Sequence, residues 1–347
     1  MTADAYLDMR NLAPSKGALS GCPVSNCTAR LGKVVSQWGR MPYCPVHGIR
    51  IHAASRTFVY YSGSDVTSKR DAALRNILFE RDYFKEHILG NKAKAETNRF
   101  CNETSEDALT WNVFSRLASG GLFPALLSTF THLPLKNEPK LYLWGLEVRL
   151  HDSSAPTRFR PLENARDTFE KDIQRFRTEP DIMLYVPGQL LVLVEAKFTS
   201  GNTIASTITT REVTGEKPKS RDGILGRYAP EALPHDALLA PSSSGPFYSQ
   251  LYRNLVFAIH MSKELEVEWR LVNLVSERQI HQRRHRVEFQ DPTQFIHACL
   301  PEKSHDHFLF YNWERLYANH VSKATELKDL AEYMYNKSAN CVKALMV

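Results

Sequence analysis

The stretch Thr178–Ser200, TEPDIMLYVPGQLLVLVEAKFTS, constrains the fold of this chain more than any other. Two short runs of Ile, Leu and Val flank Pro187–Gly188, where proline presets φ and glycine tolerates a positive φ, so the pattern predicts a β-hairpin. Side chains alternate faces along a strand, which puts Leu191, Leu193, Glu195 and Lys197 in one row and turns Ala196 to the other layer. Charges that continue an apolar row are costly to bury unless they are paired or a metal takes the carboxylate. Closing the hairpin at Pro187–Gly188 brings Asp181, at the start of the first strand, level with Glu195–Lys197 on the second. Two carboxylates and a lysine then converge on one point.

Pro180–Asp181, residues 182–194, then Glu195–Ala196–Lys197 resemble the PD-(D/E)XK signature of restriction-endonuclease-like nucleases. The plain alternative is a hairpin whose Glu and Lys pair at a strand end. The rest of the pattern favours the resemblance. Ser105 or Thr104 can cap a helix closed by Gly120–Gly121, and Lys140–Leu150 reads as a strand. The hairpin follows, then an amphipathic helix at Pro246–Leu265 with Leu251, Leu255 and Ile259 on its buried stripe, then an apolar strand at Val267–Val275. This order matches the αβββαβ core of the restriction-endonuclease-like fold, an α/β class with a mixed sheet.

The resemblance implies a metal-dependent phosphodiesterase using Mg²⁺ or Mn²⁺. Asp181 and Glu195 would ligate the cation, with the carbonyl of Ala196 as a third ligand, and Lys197 would hold the attacking water and the phosphate. Related nucleases offer a further glutamate from their first helix. Glu106 shares a face with Val113 and Leu117 and takes that role here, although acidic residues in a first turn also simply complement the helix dipole. Asp107 and Glu147 are the other candidates. For nucleic-acid contacts, Gln250 and Arg253 lie on the helix after the signature, at a spacing that departs from the family's QxxxY. Arg283, Arg284 and Arg286 belong to the densest basic cluster, SERQIHQRRHRVEF.

Upstream, Cys22 and Cys27 form a CxxxxC pair, and Cys44 with His47 a CxxH pair. Zinc prefers four thiolate or imidazole ligands delivered as two close pairs, and a segment this short has little core without a metal. The spacing predicts a structural Cys3His zinc site, with His52 as an alternative fourth ligand, in a module that resembles a zinc ribbon or treble-clef knuckle. Six cysteines, three of them beside a histidine, point to metal rather than disulfides.

At 347 residues the chain exceeds one typical core, and four segments are expected: a zinc knuckle at 1–60, a helical connector at 61–103, the nuclease core at 104–290, and a helical carboxy-terminal extension at 291–347. In that extension Phe308–Val321 and Ala324–Lys343 read as two helices. The segment Gly201–Ser244 reads as a long substrate-contacting loop. A net charge of +6 fits a polyanion partner without requiring one. No long apolar run or signal-like amino terminus is present, so the expectation is a cytoplasmic protein without membrane contact. DNA is the expected substrate ahead of RNA, in a restriction or anti-phage defence setting, as a homodimer and with a defence-system partner protein. A catalytically silent nucleic-acid-binding module and a zinc-dependent adaptor are the competing classes, and intact Asp181, Glu195 and Lys197 argue against the first.

Overall fold

The computed structural model describes residues 21–22, 24, 27–36, 39–51, 57–60, 71–89, 100–150, 152, 154–174, 177–206, 215–228, 233–234, 236–241, 245–341 and 344–347. His52 lies outside them. The chain forms two compact units, one from 1–120, 276–278 and 314–347, the other from 121–275 and 279–313. The expected core at 104–290 is thereby shared between the two.

In the first unit, β1 (Gly32–Ser36), β2 (Gly39–Tyr43), β3 (Arg50–Ile51) and β4 (Phe58–Val59) form an antiparallel sheet in sequence order. Val24, Ile49, Phe58 and Tyr60 make a small apolar cluster against which Cys22 and Cys27 pack. The connector contains the short turns Leu74–Asn76, Arg81–Tyr83 and Phe84–Ile88, separated where Glu80 takes a left-handed φ of 48°. Helix α1 (Glu106–Ser119) starts where Ser105 Oγ accepts the N–H of Ala108 at 3.1 Å. It buries Trp111, Phe114 and Leu117, and its fully buried Asn112 gives Nδ2 to the carbonyl of Asn76 at 2.8 Å. The terminal helix Lys328–Asn340 contributes Lys337, which pairs with Glu103 at 3.1 Å while Tyr60 donates to the same carboxylate.

The second unit is built on a six-stranded mixed sheet. Its strands are β5 (Lys140–Leu143), β6 (Leu146–Glu147), β7 (Ile182–Val186), β8 (Leu190–Ala196), β9 (Glu268–Val275) and β10 (Phe308–Asn312), in the order β10-β9-β8-β7-β5-β6. β7 and β8 are the expected hairpin, with Gly188 at φ 67° in the turn. β8 pairs parallel with β9, and β9 with β10. On one face, α2 (Arg160–Phe169) and α4 (Ser249–Leu265), with α3 (Arg221–Arg227) between them in sequence, share a core with Met183, Leu191, Leu193 and Tyr142. This is the row that Glu195 continues.

Three expectations are corrected. Lys140–Leu150 is not one strand, because Trp144 and Gly145 take left-handed φ values of 53° and 82° and fold it into the β5–β6 hairpin. Phe308–Asn312, expected as helix in the carboxy-terminal extension, is the edge strand β10. Its FLFYN run is aromatic and short, and it continues directly into a helical segment, so periodicity cannot separate the two. Gly201–Ser244 is not wholly loop: α3 lies within it and buries Ile224, with Tyr228 just beyond.

Candidate active site and metal-binding group

The hairpin register pairs Ile182 with Val194, so Asp181 and Glu195 fall opposite one another as the ladder runs out. All three signature residues are nearly sealed from solvent: Asp181 is 5% exposed, Glu195 0% and Lys197 6%. The N–H of Ala196 donates to Asp181 Oδ2 at 3.0 Å, which locks the aspartate against the end of β8. Lys197 Nζ contacts Glu195 Oε1, and the other oxygen, Oε2, accepts Asn254 Nδ2 from α4 at 2.7 Å. The backbone at this strand end is held from both sides. Lys197 N–H donates to the carbonyl of Leu274 at 2.7 Å, and Trp313 Nε1 donates to the carbonyl of Lys197 at 3.1 Å. Asn273 Nδ2 reaches the carbonyl of Glu195 at 3.3 Å and exchanges hydrogen bonds with Asn202 at 2.8 and 3.2 Å.

Asn254 and Asn273 were not among the sequence candidates. Each leaves a weak mark in the sequence, a carboxamide inside an apolar stripe, and each is buried and hydrogen-bonded, as such a group must be.

Two buried carboxylates and an ammonium meet at this strand end, and among the described residues Asp181 Oδ1 accepts no hydrogen bond. Hard carboxylate oxygens suit Mg²⁺ or Mn²⁺.

The other sequence candidates lie on other elements. Glu106 is half-buried in the first turn of α1, in the first unit, and Asp107 follows it there. Glu147 lies on the edge strand β6, where Arg149 at 2.6 Å and Thr157 at 2.7 Å occupy it. Gln250 accepts the Thr203 hydroxyl at 3.4 Å near the start of α4. Arg283 ends the helix Glu277–Arg283, and its guanidinium lies 5.0 Å from the Phe289 ring centre, with that of Arg286 at 5.3 Å. These side chains line a cavity of about 420 Å³ together with Thr199–Asn202, the residues that follow Lys197. Arg284 is exposed.

In the first unit, the metal-binding atoms of Cys22, Cys27, Cys44 and His47 all lie within 4.8 Å of one another. Zn–S bonds of about 2.3 Å and Zn–N bonds of about 2.0–2.1 Å imply, in a tetrahedron, about 3.8 Å between sulfurs and about 3.6 Å from sulfur to nitrogen. Cys27 and Cys44 sulfurs are 3.8 Å apart, and His47 Nδ1 is 3.5 Å from Cys22 and 3.6 Å from Cys44. Cys44 and His47 sit on the turn from β2 to β3. Burial pushes the Cys22 thiol up to about 12, with the neighbouring Cys44 adding to it. Burial acts the same way on Cys44 and is the largest influence there, but hydrogen bonds from the N–H groups of His47 and Val46 and from Cys22 and Cys27 together outweigh it and hold that thiol below its ordinary value. This group could hold zinc.

A family model described as restriction endonuclease associating with ARP matches residues 135–337, more than half of the 347 residues, and the chain belongs to that family. No curated protein and no solved structure matches the chain. Among the described residues no helix is long and apolar enough to cross a membrane.

Proposed function

We propose that this protein is a divalent-cation-dependent endonuclease that hydrolyses DNA phosphodiester bonds as a restriction or defence effector. The observation that carries the reading is the convergence of buried Asp181, Glu195 and Lys197 at the end of β7 and β8. Asp181 and Glu195 are the residues that would hold the cation, with the Ala196 carbonyl beside them. A bound divalent cation supplies a water of lowered pKa and neutralises charge that develops on the phosphate. Lys197 donates a hydrogen bond to the phosphate oxygen or the attacking water, and Glu195 aims its ammonium. Asn254 fixes the rotamer of Glu195, so the carboxylate is oriented before substrate arrives. Trp313 and the ladder to β9 hold the backbone of Lys197 at a fixed height above the sheet.

Arg283 and Arg286, stacked at Phe289 beside Thr199–Asn202, contact the strand that runs past the site. Their cavity, about 420 Å³, is large enough for a nucleotide and offers both cation and ring. Cys22, Cys27, Cys44 and His47 bind a structural zinc ion that supplements the small apolar core of the β1–β4 segment. The partner is the ARP protein that the family's description names.

The test is incubation of the purified protein with supercoiled plasmid, linear duplex, single-stranded DNA and RNA in EDTA, Mg²⁺ or Mn²⁺. Cleavage of plasmid to nicked or linear form in Mg²⁺ or Mn²⁺, abolished by EDTA, is expected. Absence of cleavage with every substrate and cation, also after addition of the partner, overturns the reading. Cleavage confined to RNA overturns the choice of DNA. Zinc content by atomic absorption is expected at one ion per chain, and a Cys44→Ser variant that keeps it removes the zinc assignment.

A further inference from the structure

The cavity of about 420 Å³ that opens just after Lys197 has two walls, both in the second unit. Thr199–Asn202 form one, and Arg283, Arg286, Glu288 and Phe289 the other. The walls are pinned together at the backbone. Asn202 N–H donates to the Glu288 carbonyl at 2.7 Å, and Tyr248 Oη donates to the Val287 carbonyl at 3.1 Å. Gly201 permits this approach, because a Cβ there would stand 2.6 Å from the Glu288 carbonyl oxygen. Arg283 Nη1 reaches the carbonyl of Thr199 at 3.5 Å. The cavity is also tied to the signature strand. Asn202 exchanges hydrogen bonds with Asn273, which holds the Glu195 carbonyl, and both carboxamides are buried.

The charge pattern of the second wall narrows what fits there. A pocket for the phosphate backbone alone needs cations, and a carboxylate among them works against it. Glu288 nevertheless stands between the two arginines and the ring. Its own backbone N–H, and then Arg286, hold its carboxyl below the ordinary value, so at neutral pH it is an anion that only accepts. Arg286 Nε donates to its Oε1 at 3.0 Å, and the Glu288 side chain keeps 30% of its surface exposed. Guanidinium donors and a carboxylate acceptor thus lie side by side. Among the DNA bases guanine carries the complementary set: O6 and N7 accept from an arginine fork, and N1–H and the 2-amino group donate to a carboxylate. Cytosine and adenine offer an amino group without a second N–H beside it, and the N–H of thymine lies between two carbonyls. Pairing in a duplex uses the N1–H and 2-amino group of guanine, so only an unpaired guanine can present them to Glu288.

We propose that this cavity receives the base of one unpaired guanine beside the scissile phosphate, and that Glu288 sets that specificity. This deepens the nuclease reading above and rests on it. The competing role for Glu288 is to brace Arg286, with no base preference.

The test uses DNA duplexes of one sequence, each with a single unpaired nucleotide at its centre carrying guanine, hypoxanthine, cytosine, adenine or thymine. kcat/KM for cleavage in Mg²⁺ is measured with the full-length parent, Glu288→Gln and Ile204→Phe. Ile204 lines the same cavity, and a phenylalanine there fills part of it. Each result is a ratio between substrates within one sample, so a partly unfolded variant does not disturb it. The parent should prefer unpaired guanine to unpaired thymine by about ten-fold, the order expected of one bidentate pair. Hypoxanthine, which lacks the 2-amino group, should fall between them. Glu288→Gln and Ile204→Phe should each bring the guanine-to-thymine ratio to within about two-fold of unity. Equal kcat/KM for every duplex with the parent overturns the base pocket and leaves the nuclease reading standing. A guanine preference that survives in Glu288→Gln, with all substrates slowed alike, assigns Glu288 to bracing Arg286 and overturns the pocket as well. A parent that cleaves neither these duplexes nor plasmid in Mg²⁺ or Mn²⁺ retires the nuclease reading instead. Anisotropy of the same duplexes, fluorescein-labelled, in EDTA then decides the pocket, and equal affinities overturn it.

Discussion

Lys337 and Lys197 are both buried and both touch a glutamate, Glu103 in the first unit and Glu195 in the second. Around Lys337 the account closes. Its ammonium reaches Glu103 Oε1 at 3.1 Å, the Glu103 carbonyl at 2.8 Å and Asn76 Oδ1 at 3.3 Å, and the remaining neighbours of the carboxylate, such as Tyr60, are neutral donors. Around Lys197 the company differs, because Asp181 adds a second buried carboxylate to the same end of the sheet. The same pair of residue types thus stands among neutral donors in one unit and beside a second carboxylate in the other, where a reactive centre is proposed. Burial alone does not distinguish the two; the second carboxylate does.

The largest expected effect separates them by sign. Asp181→Asn removes one of the two carboxylate charges and keeps the shape. Cleavage of plasmid in Mg²⁺ should fall by about 10³ or more, because the cation loses a ligand. In EDTA the same variant should unfold at a slightly higher denaturant concentration, by ~1 kcal/mol, since a buried like-charge repulsion is gone. A loss of stability without loss of activity would place Asp181 with Glu103, as a structural carboxylate.

Lys337→Met makes the converse case. It strands Glu103 in a fully packed interior, and breaking a buried pair from one side costs about 3–5 kcal/mol. The measurement is the urea transition followed by hydrogen exchange at amides of α1 and the terminal helix. Cleavage per folded molecule should stay within about two-fold of the parent, and an unchanged transition would show that the pair contributes nothing net.

The Lys337 network also has a pH signature. Burial, reinforced by Glu103, raises Tyr60 and pushes the Cys341 thiol up to about 12; burial likewise raises Tyr333. On Lys337 burial acts downward most strongly, but Glu103, Tyr333 and Cys341 together outweigh it and the ammonium titrates above its ordinary value. A raised folded pKa gives stability that is whole below the unfolded value and is lost as pH climbs through the folded one. The unfolded values lie at about 8.5 for cysteine and about 10 for tyrosine and lysine, so erosion should begin near pH 9 and deepen up to about pH 12. Urea midpoints of the parent between pH 7 and 11 test it, with a flat profile as the contrary result.

Much of the second site could be read from the sequence because its determinants are local. The Pro187–Gly188 turn fixes the hairpin register, the register sets Asp181 opposite Glu195, and alternation puts Lys197 on the same face. The Cys and His spacing likewise anticipated the group that could hold zinc, since two short pairs need only a turn each. Lys337 and Glu103 carried no such signal, being joined only by tertiary packing across most of the chain. β10 was missed because Phe308–Asn312 is apolar whichever element it joins, and its strand identity comes from parallel pairing with β9. Asn254 was passed over in favour of Gln250 and Arg253 because one helical turn of uncertainty decides which polar residue of α4 faces Glu195.

The finest test of the contrast lies in the two neutral donors. Tyr60 gives its hydroxyl to Glu103, and Asn254 gives Nδ2 to Glu195 at 2.7 Å. A hydrogen bond to a charged group contributes about 1.5–3 kcal/mol, so Tyr60→Phe and Asn254→Leu remove comparable terms. Where that energy appears should differ. Tyr60→Phe should lower the urea midpoint and leave cleavage untouched, because Glu103 only clamps. Asn254→Leu should slow single-turnover cleavage about ten-fold with a smaller change in stability, because a Glu195 free to turn spends less time aimed at the cation and at Lys197. Extra Mg²⁺ should recover part of that loss if the defect is in holding the cation, and none if it is in orienting Lys197. Equal losses of stability and rate in both variants would erase the distinction between clamp and reactive centre.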